Sequence, residues 1–177
     1  MAAPFAQSQL SKYGLPFAPV QANAINSKTY RYLNQVISVL IYPEQTGGSF
    51  GVLQMQEKRG MEPPPHIHTR EDEVFIIQTG KIEFTVSGTT YECGAGDVMF
   101  LPRNRVHHLK VITPVSDVMN ILTPGNFINY FLEMCAEQEL LPADSNEMPV
   151  APIMFEKLIA IATRYGVRFP HLENMSQ

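Results

Sequence analysis

Three histidines and one glutamate stand at spacings that can hold a divalent metal: His66 and His68, then Glu73, then His107 after a second glycine- and proline-marked stretch. Successive side chains of a strand point to opposite faces, so His66 and His68 share a face and can meet one ion. Glu73 has the wrong parity to join them on one unbroken strand. The polar run Thr69-Arg70-Glu71-Asp72 can turn the chain and bring it back. Pro63, Pro64 and Pro65 hold the approach to His66 extended, because each proline restricts its own φ and biases the preceding residue away from helix. Imidazoles with one carboxylate suit a first-row transition metal with open positions. By themselves, His66 and His68 read equally well as solvent-facing strand histidines.

The second stretch, Gly96 to His107, supplies the third imidazole from another strand-like setting. The pattern Gly-x5-His-x-His-x4-Glu-x6-Gly is met in full by Gly60, His66, His68, Glu73 and Gly80. A second pattern, Gly-x5-Pro-x-Gly-x2-His-x3-Asn, is met at Gly96, Pro102 and His107 and departs at Asn104 and Val111. Together these resemble the paired motifs of the cupin superfamily. Asn is the non-glycine residue most at home in a left-handed turn, so Asn104 is expected to keep the turn that the family makes with glycine. Val111 costs a polar group but no ligand. The motif register selects His107 over His108, which then faces outward or into an interface without a catalytic role.

The elements that must position these residues read as short strands. Residues 33–42 are rich in β-branched residues and long enough for two strands, and 50–57 make another. Residues 74–77 and 81–86 flank Gln78-Thr79-Gly80 as a hairpin. Ser87-Gly88-Thr89 turns the chain into residues 90–93, and 98–101, 111–112 and 118–122 follow. Eight to ten strands at close spacing fit an all-β jelly-roll barrel, the cupin double-stranded β-helix. Residues 1–29 read as an extended arm and 30–123 as the barrel. Residues 124–177 read as a helical extension packed on it. In that extension Asn126 is placed to cap a helix carrying Phe127, Tyr130, Phe131 and Met134 on one face. A second helix over 152–165 carries Phe155, Leu158, Ile159, Ala162 and Tyr165, with Gly166 at its end. Both stripes are expected to pack on the outside of the barrel or on a partner copy.

At 177 residues, 45% hydrophobic and 17% charged, the chain has the size and composition of one globular domain. A net charge of −4 without a basic cluster argues against nucleic acid. No run approaches the ~20 apolar residues of a membrane span, and the first residues lack a secretory signal pattern. Cys93 and Cys135 are expected to be small buried hydrophobes in a reducing, cytoplasmic setting.

Beyond the motifs, the chain is similar to single-domain quercetin 2,3-dioxygenases, the quercetinase-like cupins. The similarity extends to Leu15-Pro16-Phe17, Leu40-Ile41-Tyr42-Pro43, Leu122-Thr123-Pro124-Gly125 and Tyr165-Gly166-Val167-Arg168-Phe169. It implies one Fe, Mn, Ni or Co ion (zinc being an alternative as purified) held by His66, His68, Glu73 and His107, in a homodimer. It also implies oxidation or cleavage of a flavonol-like or polyketide-derived phenol of secondary metabolism, with O2 as co-substrate. Glu73 doubles as ligand and catalytic base in this reading. Phe75, Ile77, Phe84, Met99 and Phe100 are the expected apolar wall for a small aromatic substrate. The same ligands serve an isomerase, cyclase or lyase acting on an enol without O2. A non-catalytic small-molecule-binding cupin is the third reading.

Overall fold

The computed structural model describes residues 18–25, 27–32, 35–139 and 152–173, so most of the arm at 1–29 lies outside the described residues. Two antiparallel sheets face one another. The larger has the order β1-β2-β3-β10-β5-β8 and the smaller β7-β6-β9. In chain order the strands are β1 (Thr29–Tyr32), β2 (Gln35–Ile41), β3 (Gly51–Lys58), β4 (Ile67–His68), β5 (Asp72–Ile77), β6 (Lys81–Val86), β7 (Thr89–Gly94), β8 (Val98–Leu101), β9 (His107–Val111) and β10 (Val115–Thr123). A short β11 (Val167–Arg168) pairs with β4. Helices α1 (Ile128–Glu139), α2 (Pro152–Arg164) and α3 (Pro170–Glu173) lie in the C-terminal third. No helix among the described residues is long and apolar enough to cross a membrane.

The sheets exist because alternate residues are apolar and bury one face. Phe75 and Ile77 point inward from β5, Ile82 and Phe84 from β6, and Val118 and Leu122 from β10, all buried. The Phe75 and Phe84 rings meet across the two sheets at 5.3 Å between centroids. Burying side chains of this size contributes roughly 1.5–3 kcal/mol each.

The hairpin expected between residues 74–77 and 81–86 does not form. β5 pairs with β10 and β8, whereas β6 pairs with β7 and β9, so the chain crosses from one sheet to the other at 78–80. The backbone N–H groups of Gln78 and Thr79 both donate to Asp117 O, which holds the crossing open. Gly80 adopts φ +81° there, where an added Cβ would lie 2.3 Å from Ser116 Oγ and 2.8 Å from Val115 O. The hairpin is one step later, β6 to β7 through Ser87 (φ 48°) and Gly88 (φ +87°).

The C-terminal third also differs in detail. Residues 125–127 form a 3-10 turn ahead of α1, so Asn126 lies inside the turn and makes no cap. The buried faces of α1 and α2 are turned toward the barrel interior and not laid on its outside, as the site below shows. The Tyr32 and Tyr130 hydroxyls meet at 2.8 Å and fasten α1 to β1. Glu133 of α1 accepts from Arg164 of α2 and from the Tyr165 hydroxyl.

Gly80→Ala should lower stability by about 1–3 kcal/mol, from strain and overlap together. Gly88→Ala meets nothing within 4 Å and should lose only the ~1 kcal/mol left-handed penalty. Urea unfolding midpoints of the two variants check this; equal midpoints would mean that the crossing at Gly80 is not sterically closed.

Candidate metal centre

The two motif stretches are joined by backbone before any side chain is considered. His66 N–H donates to His107 O at 3.0 Å and His107 N–H to His66 O at 2.9 Å, an antiparallel bridge outside the named strands. Residues paired in this way point their side chains to the same face, and the two rings stand 4.5 Å apart between centroids. Asn104, in the left-handed conformation at φ 62° as its residue type suggested, donates its N–H to His68 O at 2.8 Å. On the other side His68 pairs with Val167 of β11. The break at 69–71 between β4 and β5 resets the parity, so Glu73 turns inward beside the histidines.

His66, His68, Glu73 and His107 are all buried, and one donor atom from each lies within 4.8 Å of the others. His66 Nδ1 faces Pro64 O at 2.8 Å and His107 Nδ1 faces Arg105 O at 3.0 Å. A carbonyl only accepts, so both Nδ1 atoms carry hydrogen and each Nε2 keeps its lone pair. His107 Nε2 is buried with no hydrogen-bond partner, 3.4 Å from Glu73 Oε2. His68 Nε2 lies 3.6 Å from the same oxygen. His68 Nδ1 stands 3.5 Å from Glu71 Oε2, with neither atom otherwise partnered. Asn120 Nδ2 donates to Glu73 Oε1 at 3.4 Å. Fixed tautomers, a lone pair without a hydrogen and a shared carboxylate are what a divalent ion requires of its ligands. The donor set fits a metal.

The electrostatics agree with that assignment at Glu73 and His66, whereas the carboxylates beside His68 hold it toward its charged form. Burial works against the Glu73 carboxylate, yet His68, His107 and His66 around it together hold it at about 2. Burial, reinforced by His68 and His107, pushes His66 down to about 3, so it stays a neutral donor. For His68, burial is outweighed by Glu73 and Glu71, and its pKa rises. His108, next to His107, points the other way and pairs with Thr85.

A cavity of about 70 Å³ opens over the four donors, enough for several waters or part of a small organic guest. Its walls are not the expected ones. Phe75 lines it, but Ile77, Phe84, Met99 and Phe100 do not. Two-residue steps along a strand advance nearly 7 Å, so Ile77 lies two such steps beyond Glu73, deep in the core. Phe84 sits beneath Phe75, and Met99 pairs with Phe75, one step past Leu101, which pairs with Glu73. Phe100 has outward parity and is 55% exposed. The helices take their place: Phe127, Tyr130 and Phe131 from α1 and its preceding turn, Leu158 and Ala162 from α2, and Phe169 beyond β11. Phe127 meets the His68 ring edge-on at 4.5 Å, and Phe169 lies 6.1 Å from His66.

Three more lining residues, Gln35, Glu57 and Asn120, escaped the sequence reading. Each occupies an inward position of a strand, Gln35 in step with Ile37 and Val39, Glu57 with Leu53 and Met55, Asn120 with Val118 and Leu122. A polar residue at an apolar parity position is the signal that points to them. Burial pushes the Glu57 carboxyl up to about 7, against the hydrogen bond from Gln35 and with help from Glu62 and Glu73.

Residues 52–119 match the family described as "Cupin domain". Over 98 residues the chain is 24% identical to quercetin 2,3-dioxygenase of Bacillus subtilis, a match covering 55% of this chain and 29% of that enzyme. The solved structure of KdgF from a Halomonas species superposes with a TM-score of 0.54 at 17% identity, over 60% of this chain and 94% of that one. A predicted oxalate decarboxylase from Thermotoga maritima gives 0.53 at 18%, over 58% and 97%. Streptomyces Pac13, solved with uridine, gives 0.50 at 16%, over 62% and 84%. At these identities the structural likenesses establish the fold.

One metal ion per chain is the expected outcome of elemental analysis after reconstitution. His66→Ala should abolish binding, and Glu71→Gln should weaken it roughly 10–100-fold by freeing the His68 ring. Replacing Cys93 and Cys135 by Ser, both buried thiols outside any disulfide, should leave metal content unchanged; a loss in that variant would redraw the ligand set.

Proposed function

We propose that this chain, whose barrel is a cupin domain, is a metal-dependent enzyme acting on a small aromatic or enolic oxygen compound, in the first place as a dioxygenase. The observation that carries the reading is the convergence of His66, His68, Glu73 and His107 within 4.8 Å at one wall of an otherwise largely aromatic cavity. The partial match to a quercetin 2,3-dioxygenase supports the substrate class. When bound there, a divalent Fe, Mn, Ni or Co ion supplies Lewis acidity that lowers the pKa of a coordinated hydroxyl.

The chain's own residues do the rest. His66 and His107 are held by carbonyls and His68 stands beside Glu71, so little reorganisation is left for the moment of binding. Phe127, Tyr130, Phe131 and Phe169 offer flat apolar surface that orients a ring and excludes water. Glu73, with one oxygen toward His68 and His107 and the other toward Asn120, serves as the anionic ligand.

An isomerase, cyclase or lyase working without O2 is the second reading. It is favoured by Glu57, a buried carboxyl in the same cavity that is not part of the ligand cluster. Proton-transfer chemistry has a use for such a group and oxygen insertion does not require it.

The two are separated by assaying reconstituted protein on flavonols and phenolic polyketides in air and under argon. The dioxygenase reading expects O2 uptake in step with substrate loss, and no turnover under argon. Equal rates under both atmospheres would move the assignment to the second reading. No turnover of any oxygen-bearing substrate by the metal-loaded protein would leave a binding protein.

The reading includes a homodimer. The helical faces are used in closing the cavity, so they do not argue for it. Val98 and Phe100 do: both are exposed on β8, at the edge of the larger sheet. Light scattering should give twice 19.9 kDa, and Phe100→Lys should shift it toward the monomer. A wild-type monomer at micromolar concentration would contradict the dimer.

A further inference from the structure

We infer that Glu57 is the proton acceptor of this cavity, taking the proton from a hydroxyl of the guest while Gln35 and Asn120 accept hydrogen bonds from its other hydroxyls. The inference rests on the metal-dependent reading above and adds to it the residue that moves the proton and the kind of guest.

The geometry comes from three adjacent strands. Tyr32 pairs with Gln35 across β1 and β2, and Val36 pairs with Gln56 across β2 and β3, so the next step of that register sets Gln35 beside Glu57. Tyr32, Gln35 and Glu57 thus form a row across the sheet, and all three line the cavity. Glu57 is 4% exposed and Gln35 2%. No ion pair is formed by Glu57 among the described residues; its neighbour is the neutral Gln35 amide, so the acid lacks the opposite charge that usually accompanies a buried carboxylate.

The amides point to the guest. Gln35 Nε2 donates to Met61 O at 3.2 Å, and Asn120 Nδ2 donates to Glu73 Oε1 at 3.4 Å. Both amide orientations are therefore set by acceptors, which leaves Gln35 Oε1 and Asn120 Oδ1 as buried acceptors without partners. An orphaned acceptor in a cavity keeps its desolvation cost until something donates to it. A polyhydroxylated phenol or enol with three hydroxyls satisfies both amides and presents one further O–H to Glu57, and a catechol, with two, reaches Glu57 and one amide. In the step itself the O–H bond breaks, the proton joins a Glu57 oxygen, and the electron pair stays on the guest as phenolate or enolate. Nothing is oxidised or reduced. The same proton can return to a carbon of the guest in an isomerisation.

The groups that set the behaviour of Glu57 are Tyr32 on β1, Gln35 on β2, Glu62 in the loop before His66, and Glu73 on β5. The three imidazoles share its cavity. Burial raises Glu57 from 4.5 to about 7. In that interval the folded chain holds a proton that the unfolded chain has lost. The stabilisation from Glu57 is therefore complete below 4.5 and disappears as pH rises through about 7.

Two measurements test this, on the full chain and on its isosteric variant Glu57→Gln. First, urea unfolding of metal-free protein from about pH 5 to about pH 8 should show a stability loss in wild type that is smaller in the variant; superimposable differences at every pH would overturn the assignment. Second, both proteins are loaded with zinc, which is redox-inert, and titrated with catechol by calorimetry in two buffers of different ionisation enthalpy. Near pH 8 the variant should release about one more proton per catechol bound than wild type, since it has no acceptor to retain it. Equal proton release with equal zinc and catechol binding would overturn the Glu57 assignment alone. Failure of wild type to take zinc would overturn the metal-dependent reading, and this inference with it.

Discussion

The reciprocal hydrogen bonds between His66 and His107 are the constraint on which the rest of the structure depends. The two residues are 41 positions apart in sequence, and the bridge places them opposite each other on one face. Asn104 N–H on His68 O then fixes the neighbouring strand against the turn of the second motif. Because the backbone at these positions is tied in this way, the side chains converge on one face. The prolines before His66 serve the same end, holding Pro64 O where it takes the His66 Nδ1 hydrogen. Three imidazoles and a carboxylate are thus gathered in one buried site largely by backbone contacts.

The cavity is the consequence of a second arrangement, the return of the C-terminal third across the barrel mouth. β11 pairs with β4, so the chain that follows α2 is held directly on the strand carrying His68. Thr69 reinforces it, with both its N–H and its hydroxyl donating to Gly166 O. Gly166 has φ +90°, and a Cβ there would stand 2.7 Å from Arg70 Nε. The aromatic side chains of α1 and of Phe169 are brought over the ligands by these contacts. The His/Glu cluster and the apolar wall are built as one unit.

The gathering of His66, His68, Glu73 and His107 into one buried cluster was legible because their spacing is strict and because imidazole and carboxylate at that spacing have few other uses. The left-handed turn at Asn104 was legible for a similar reason, since few residue types accept that conformation. The sheet connectivity was not. Residues 74–86 have the alternation and the glycine of a hairpin, and it takes the pairing of β5 with β10 and β8 and of β6 with β7 and β9 to show that the chain changes sheet instead. The apolar stripes of α1 and α2 show that those helices bury a face but not what they bury it against. Their partner is the cavity, and the wall assigned to Ile77, Phe84, Met99 and Phe100 belongs to them. Strand parity alone could have found Gln35, Glu57 and Asn120, as polar residues where the alternation calls for apolar ones.

The ligand set is the claim on which function, pocket and proton transfer all rest, and X-ray absorption at the edge of the bound metal reads it directly. The structure predicts a shell of three imidazole nitrogens and at least one carboxylate oxygen, near ~2.0–2.2 Å for a zinc ion, losing one imidazole in His107→Ala and its protein carboxylate in Glu73→Ala. A shell with fewer than three imidazoles, or one unchanged when Glu73 is replaced but altered when Glu57 or Glu71 is, would contradict it.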